Sequence, residues 1–160
     1  MEFLAWFENT GLSTWVRESP PVFPTILVIH ALGMGTLVGA NVVVGLRAIG
    51  VARSLELSTL ERFVPLVWIG FIASLGSGLL LLAGYPAKAL TNPVFYVKFA
   101  FIGAAFALWR RMRRIMNAGE VVGTLPMVGI GLLVLWAGAI TAGRFLAYTH
   151  TVLLASHLVP

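Results

Sequence analysis

A 160-residue chain that is 59% hydrophobic and 11% charged, with a mean hydropathy of +0.93, is too apolar for an ordinary soluble domain and reads as one membrane domain. The net charge of +5 does not point to nucleic acid, because the arginines gather at the ends of apolar runs, where basic residues orient membrane helices. Cysteine is absent, which excludes disulfides, thiolate metal sites and cysteine nucleophiles.

Residues 1–19 lack the basic start, continuous apolar core and small-residue cleavage site of a secretory signal, so they are expected to stay in the mature protein. Phe3, Leu4 and Phe7 share a helical face, Leu12, Trp15 and Val16 follow the break at Gly11, and Trp6 and Trp15 suit the headgroup region. This pattern predicts an amphipathic segment lying in the membrane interface. Pro20, Pro21 and Pro24 then fix the entry into the first membrane helix.

That helix is predicted over 22–46, inside a long apolar stretch with no charge before Arg47 and one ionisable group, His30, well within it. On a helical wheel His30, Met34, Leu37 and Asn41 share a narrow sector, and Gly35 and Gly39 form a GxxxG pair almost opposite. One face suits close backbone packing; the other presents imidazole, thioether and carboxamide. The second span, 63–83, repeats a small residue every fourth position at Gly70, Ser74 and Gly78, which predicts tight packing on a neighbouring helix. The third, 94–109, contains Lys98 and closes on Arg110, Arg111, Arg113 and Arg114. The fourth, 125–148, carries Trp136 centrally and Arg144 near its end, and residues 149–160 form a tail with His150 and His157. The expected fold is all-α: an integral membrane four-helix bundle, with residues 20–148 as its body.

Four spans put the 47–62 and 110–124 loops on one side, which then holds Arg47, Arg53, Arg62 and the four arginines after Trp109. The positive-inside rule makes that side cytoplasmic and both termini periplasmic, in a bacterial inner membrane. At a rise of ~1.5 Å per residue, His30 lies roughly 12 Å below the outer surface and Lys98 roughly 8 Å below it. Arg144 also falls near the outer end of its helix. No carboxylate lies in the spans, so a bound anion or snorkelling must compensate these cations.

A b-type haem meets these demands: its iron takes an imidazole, its propionates take lysine or arginine, and its apolar edge suits a helix bundle. On this reading His30 is an axial ligand, His150 completes the pair, and Lys98 and Arg144 neutralise the propionates. Met34, one turn from His30, cannot reach the opposite face of the same haem. Copper bound by His30 and Met34 is an alternative that lacks a third ligand. Each residue also has a plainer reading. His30 is then a buried histidine bonded to a neighbouring helix, Lys98 and Arg144 are snorkelling anchors, Trp136 is core or lipid-facing, and His150 and His157 are solvated at the surface. The arginines at 110–114 are a topology signal with a lipid-headgroup role.

The segments FPTILVIHALGMGTLVG, LRAIG, NPVFYVK and LVLWAGAITAGRFLAY, from about Phe23 to Tyr148, resemble a family of small four-span bacterial membrane proteins of unknown function. The resemblance implies a four-helix membrane bundle in which His30, Lys98, Trp136 and Arg144 hold recurrent positions. This chain departs from that pattern at Gly45, where an acidic residue recurs, and at Trp109, where a histidine does. A looser likeness, at the level of the fold, is to membrane b-type cytochromes and CopD-like copper-handling proteins.

The expected function is electron transfer through a haem in the outer half of the bundle, exchanging electrons with a periplasmic cytochrome or a quinone. The rival is a non-catalytic subunit that assembles with other membrane subunits, or with itself, through Gly35 and Gly39 and through the Gly70, Ser74 and Gly78 stripe. Membrane lipids are partners on either reading. No nucleophile with a base, phosphate loop or paired carboxylates occur in the spans, so catalysis by the polypeptide alone is not expected.

Overall fold

The computed structural model describes residues 2–52, 54–55, 61–117 and 123–149. The chain runs as α1 (Glu2–Glu8), α2 (Gly11–Glu18), α3 (Val22–Ala48), a 3-10 turn (Glu61–Phe63), α4 (Val64–Gly84), α5 (Pro86–Leu90), α6 (Pro93–Asn117) and α7 (Leu125–Tyr148). There is no strand among the described residues. Helices α3, α4, α6 and α7 are long and apolar enough to cross a membrane, and the protein is a multi-pass membrane protein built as a four-helix bundle.

Local chemistry sets the helix ends. Gly50 adopts φ 88° just past α3, and the Val51 N–H reaches back to the Leu46 carbonyl, a left-handed cap that a side chain at 50 would strain. Prolines occupy the first turn of α4, α5 and α7, where a missing N–H leaves nothing unsatisfied. Helix α6 continues two turns beyond Trp109, through the arginines, because arginine is a good helix former and neither Gly nor Pro interrupts it before Gly119.

Two antiparallel hairpins, α3 with α4 and α6 with α7, are joined where α3 packs on α7. Small residues allow the first hairpin to close: a methyl group at Gly70 would stand 2.5 Å from the Leu37 backbone nitrogen, and one at Gly33 would stand 2.8 Å from that of Ser74. The α3–α7 contact likewise brings Gly45 onto Leu133 and the Gly129 carbonyl. Helices α4 and α6 meet through rings instead, with Phe71 and Phe106 edge to face at 5.0 Å and Trp68 edge-on to Trp109 at 6.5 Å. Val67, Ala105, Met112, Leu132 and Trp136 are almost wholly buried, and they concentrate the core in the half of the bundle toward the arginines. We call this the arginine end.

The opposite end is covered by α1 and α2, and we call it the cap end. Val16 is fully buried against Gly84, and the Ser13 hydroxyl donates to the Gly84 carbonyl at 3.4 Å. The Ala87 N–H at the start of α5 donates to the Glu8 carboxylate at 3.3 Å, and the Arg17 guanidinium donates to the Glu8 carbonyl. Phe3, Trp6, Leu12 and Trp15 point outward. The cap thus sets Glu8, Ser13 and Val16 against the bundle and leaves four large apolar side chains facing outward.

Candidate functional site

One layer near the cap end receives a residue from each spanning helix, and its shape follows from which helices supply glycine. His30 enters from α3 and Lys98 from α6, both half-buried. Gly78 of α4 lies against the imidazole, where a methyl group would come within 3.2 Å of His30 Cε1. Gly143 of α7 lies along the Lys98 stem, with a built methyl 3.7 Å from Cε. Two helices therefore omit a side chain where the other two insert a long polar one. The Lys98 ammonium lies within Coulombic range of the imidazole.

The hydrogen bonds of His30 fix its tautomer. Nδ1 is 3.0 Å from the Ser74 carbonyl oxygen and 3.0 Å from the Ser77 hydroxyl oxygen. A carbonyl only accepts, and the Ser77 hydroxyl spends its own proton on the Ala73 carbonyl at 2.6 Å. Both partners therefore demand a proton on Nδ1, and in the neutral ring the lone pair resides on Nε2. Nε2 has no hydrogen-bond partner among the described residues. An imidazole held by an Nδ1–H to a backbone carbonyl, with Nε2 open, is the arrangement in which histidine ligates metals. The same bonds also tie α3 to α4, as the plainer reading of His30 expects, so the two readings share one geometry. The Ser74 hydroxyl, 3.5 Å from the His30 carbonyl, completes the seam.

Lys98 makes no hydrogen bond or ion pair among the described residues; the ion pair present there joins Arg17 to Glu18 at the cap. Arg144 does not join Lys98 in the interior. It is exposed on the outside of α7, because it follows Gly143 by one residue, a rotation of about 100° that carries it off the inward face. Met34 packs at the edge of the core, one turn deeper than His30. His150 and His157 lie outside the described residues. No group of three or more His, Asp or Glu side chains that could hold a metal ion occurs among the described residues.

The predicted packing residues divide. Gly70, Ser74 and Gly78 all face α3 within this chain, so this stripe is occupied by the chain's own first span. Gly35 and Gly39 are exposed with nothing within 4 Å of a built methyl, and Gly33 makes the close approach to α4 instead. Gly33 sits beside His30 and Leu37 on the wheel, so its position on the inward face was available from periodicity. Ser77 and Gly143 also escaped the sequence reading; Ser77 lies one turn from Ser74, and Gly143 is next to Arg144.

Deeper in the bundle, Oδ1 of Asn41 and Nε1 of Trp136 are buried with no hydrogen-bond partner among the described residues. The other end of the Asn41 amide donates to the Leu37 carbonyl at 2.8 Å, which fixes the amide's orientation. At the arginine end, the Arg113 guanidinium lies 5.3 Å from the centre of the Trp109 ring.

Comparison with family models, with curated proteins and with solved structures finds no match for this chain.

Proposed function

We propose that this chain is a membrane electron-transfer subunit whose cap-end half would hold one b-type haem, with His30 Nε2 as the atom that would ligate its iron. The observation that carries the reading is the fixed tautomer: Ser74 and Ser77 consume the Nδ1 proton and leave an oriented lone pair on Nε2. Lys98, a cation without a carboxylate partner among the described residues, is the propionate contact. Arg144, on the outside of α7, is assigned to the lipid headgroups rather than to a propionate. His150, outside the described residues, would be the candidate for a second iron ligand.

When bound, haem supplies one-electron chemistry; the chain's own contribution is to ligate it, orient it and exclude water. Gly78 and Gly143 let the imidazole and the lysine stem lie directly against α4 and α7, and the α1–α2 cap covers that end of the bundle. With the arginine end cytoplasmic, the site faces the periplasm and is within reach of a periplasmic cytochrome or a quinone. Copper handling stays an alternative in which His30 and Met34 supply two donors and a third would come from elsewhere in the chain.

A second reading rests on a separate observation. Gly35 and Gly39 present a smooth, uncovered stripe on α3, the surface by which an assembly subunit would pack on another membrane helix. The readings part in a reduced-minus-oxidised visible spectrum with a pyridine haemochrome assay on the purified protein. A b-type spectrum near one haem per chain, lost in His30→Ala while the bundle stays helical and monodisperse, supports electron transfer. A colourless protein, purified with haem supplied throughout, removes that reading. Gly35→Leu then becomes the informative variant, expected to abolish association without unfolding the chain.

A further inference from the structure

The seam between the two hairpins has an unusual composition. Among the described residues, no direct hydrogen bond joins α3 or α4 to α6 or α7 within the spans; the bonds that reach α7 come from Lys88 and Asn92, beyond the end of α4. Yet the inward faces of α3 and α7 each carry one polar group in the middle of this seam. Asn41 and Trp136 are each 1% exposed, and each has an atom without a partner. The atoms are complementary: Oδ1 of Asn41 only accepts, and the indole Nε1–H of Trp136 only donates.

Helix register sets both at one depth. Gly45 of α3 lies against Leu133 and Gly129 of α7, and the helices are antiparallel. One turn toward the cap end from Gly45 is Asn41, and one turn the same way from Leu132 and Leu133 is Trp136. The Asn41 amide cannot be flipped to relieve the shortage, since its NH₂ is needed by the Leu37 carbonyl. Phe106 packs on the Trp136 ring at 6.0 Å with the two planes 72° apart, and it brings no oxygen or nitrogen to the indole. Leaving a buried donor and a buried acceptor both unmet is among the costlier arrangements in a protein interior, and hydrocarbon around the bundle offers no relief.

We infer that Asn41 and Trp136 together hold one water molecule, which accepts from the indole N–H and donates to the carboxamide oxygen, and so bridges the two hairpins. Water fits because it both donates and accepts, and it meets the minimum of two polar partners that buried waters have. The bridge is then the polar tie across a seam otherwise closed by glycine contacts and ring packing. It is independent of any cofactor at His30.

The test is water-to-protein magnetisation transfer in proton-detected solid-state NMR. It uses the full chain, labelled with ¹⁵N-tryptophan and reconstituted in lipid bilayers. The Trp136 indole signal is identified as the one missing in Trp136→Phe. The expected result is a water cross-peak at the Trp136 indole N–H, retained in Asn41→Asp and lost in Asn41→Leu. An indole proton with no water cross-peak overturns the inference, whether its shift marks a direct bond to Asn41 or no bond at all. A cross-peak that survives Asn41→Leu overturns it too, because the water is then held elsewhere. Should Asn41→Leu fail to insert, the wild-type spectrum and Asn41→Asp still decide, since a bridging water must appear in both.

Discussion

The two ends of this bundle solve the problem of packing four helices in opposite ways. Toward the arginine end, Trp68, Phe71, Phe106, Trp109 and Trp136 interlock, Met112 and Leu132 are fully buried, and the space between α4 and α6 is filled by rings. Toward the cap end, the helices meet through Gly33, Ser74, Ser77 and Gly78, and the inserted side chains are an imidazole and an ammonium. In lipid there is no hydrophobic gain from putting leucine against leucine, so association rests on packing and hydrogen bonds. The arginine end uses the first and the cap end the second. The difference teaches where chemistry fits: an end held by backbone proximity and a few directed hydrogen bonds has room for ionisable groups, and one filled with rings does not.

The contrast is most severely tested by enlarging the smallest contact. Gly70→Ala places a methyl 2.5 Å from one backbone atom and 2.8 Å from another, and neither can rotate away. It is expected to cost on the order of 3 kcal/mol or more, read as loss of the monodisperse, heat-stable species in detergent. Among the packed rings the effect comes from deletion instead. Trp136→Ala removes the largest fully buried side chain and is expected to cost about 3 kcal/mol through the cavity it leaves, measured by reversible unfolding in mixed micelles.

Smaller changes sharpen the comparison. His30→Ala is expected to cost roughly 1 kcal/mol of stability, the scale of an interhelical hydrogen bond in a membrane, and, on the proposed haem reading, to abolish haem retention. Stability and haem content measured on the same preparation would show that the two effects differ in size. Ser77→Ala leaves Nδ1 only the Ser74 carbonyl; on the proposed haem reading it is expected to weaken haem retention about tenfold with little change in thermal stability, as loss of a hydrogen-bond partner behind a ligand does. The smallest effect belongs to Gly35→Leu, expected to alter the stability of the isolated chain by less than about 0.5 kcal/mol because nothing in the chain lies within 4 Å of the new side chain.

Periodicity and composition made the bundle legible in the sequence, since a chain with four long apolar runs has few other folds open to it. The wheel also placed His30, Leu37 and Asn41 on an inward face, and the four-residue repeat of Gly70, Ser74 and Gly78 marked the face that meets α3. Other features were hidden for physical reasons. GxxxG at Gly35 and Gly39 is the stronger motif, but which glycine meets the neighbour depends on helix rotation, and rotation chose Gly33. The burial of Glu8 against α5 depends on α1 and α2 folding back over the bundle, a long-range contact that no local pattern encodes. Arg144 and Lys98 share a depth but not a direction, and depth alone suggested that they act together. The tautomer of His30 required the partner of its partner, Ala73, which no spacing rule reaches.

The claim on which the rest depends is that His30 presents Nε2, not Nδ1, as its open atom. It is tested most directly by the ¹⁵N chemical shifts of the imidazole, in protein labelled at histidine, without haem and in lipid bilayers near neutral pH. His30 is assigned by the signal missing in His30→Gln. The expected spectrum shows a proton-bearing Nδ1 and an Nε2 with the far-downfield shift of an unprotonated ring nitrogen. The opposite assignment, with the proton on Nε2, would contradict the hydrogen-bond argument and with it the proposed ligand.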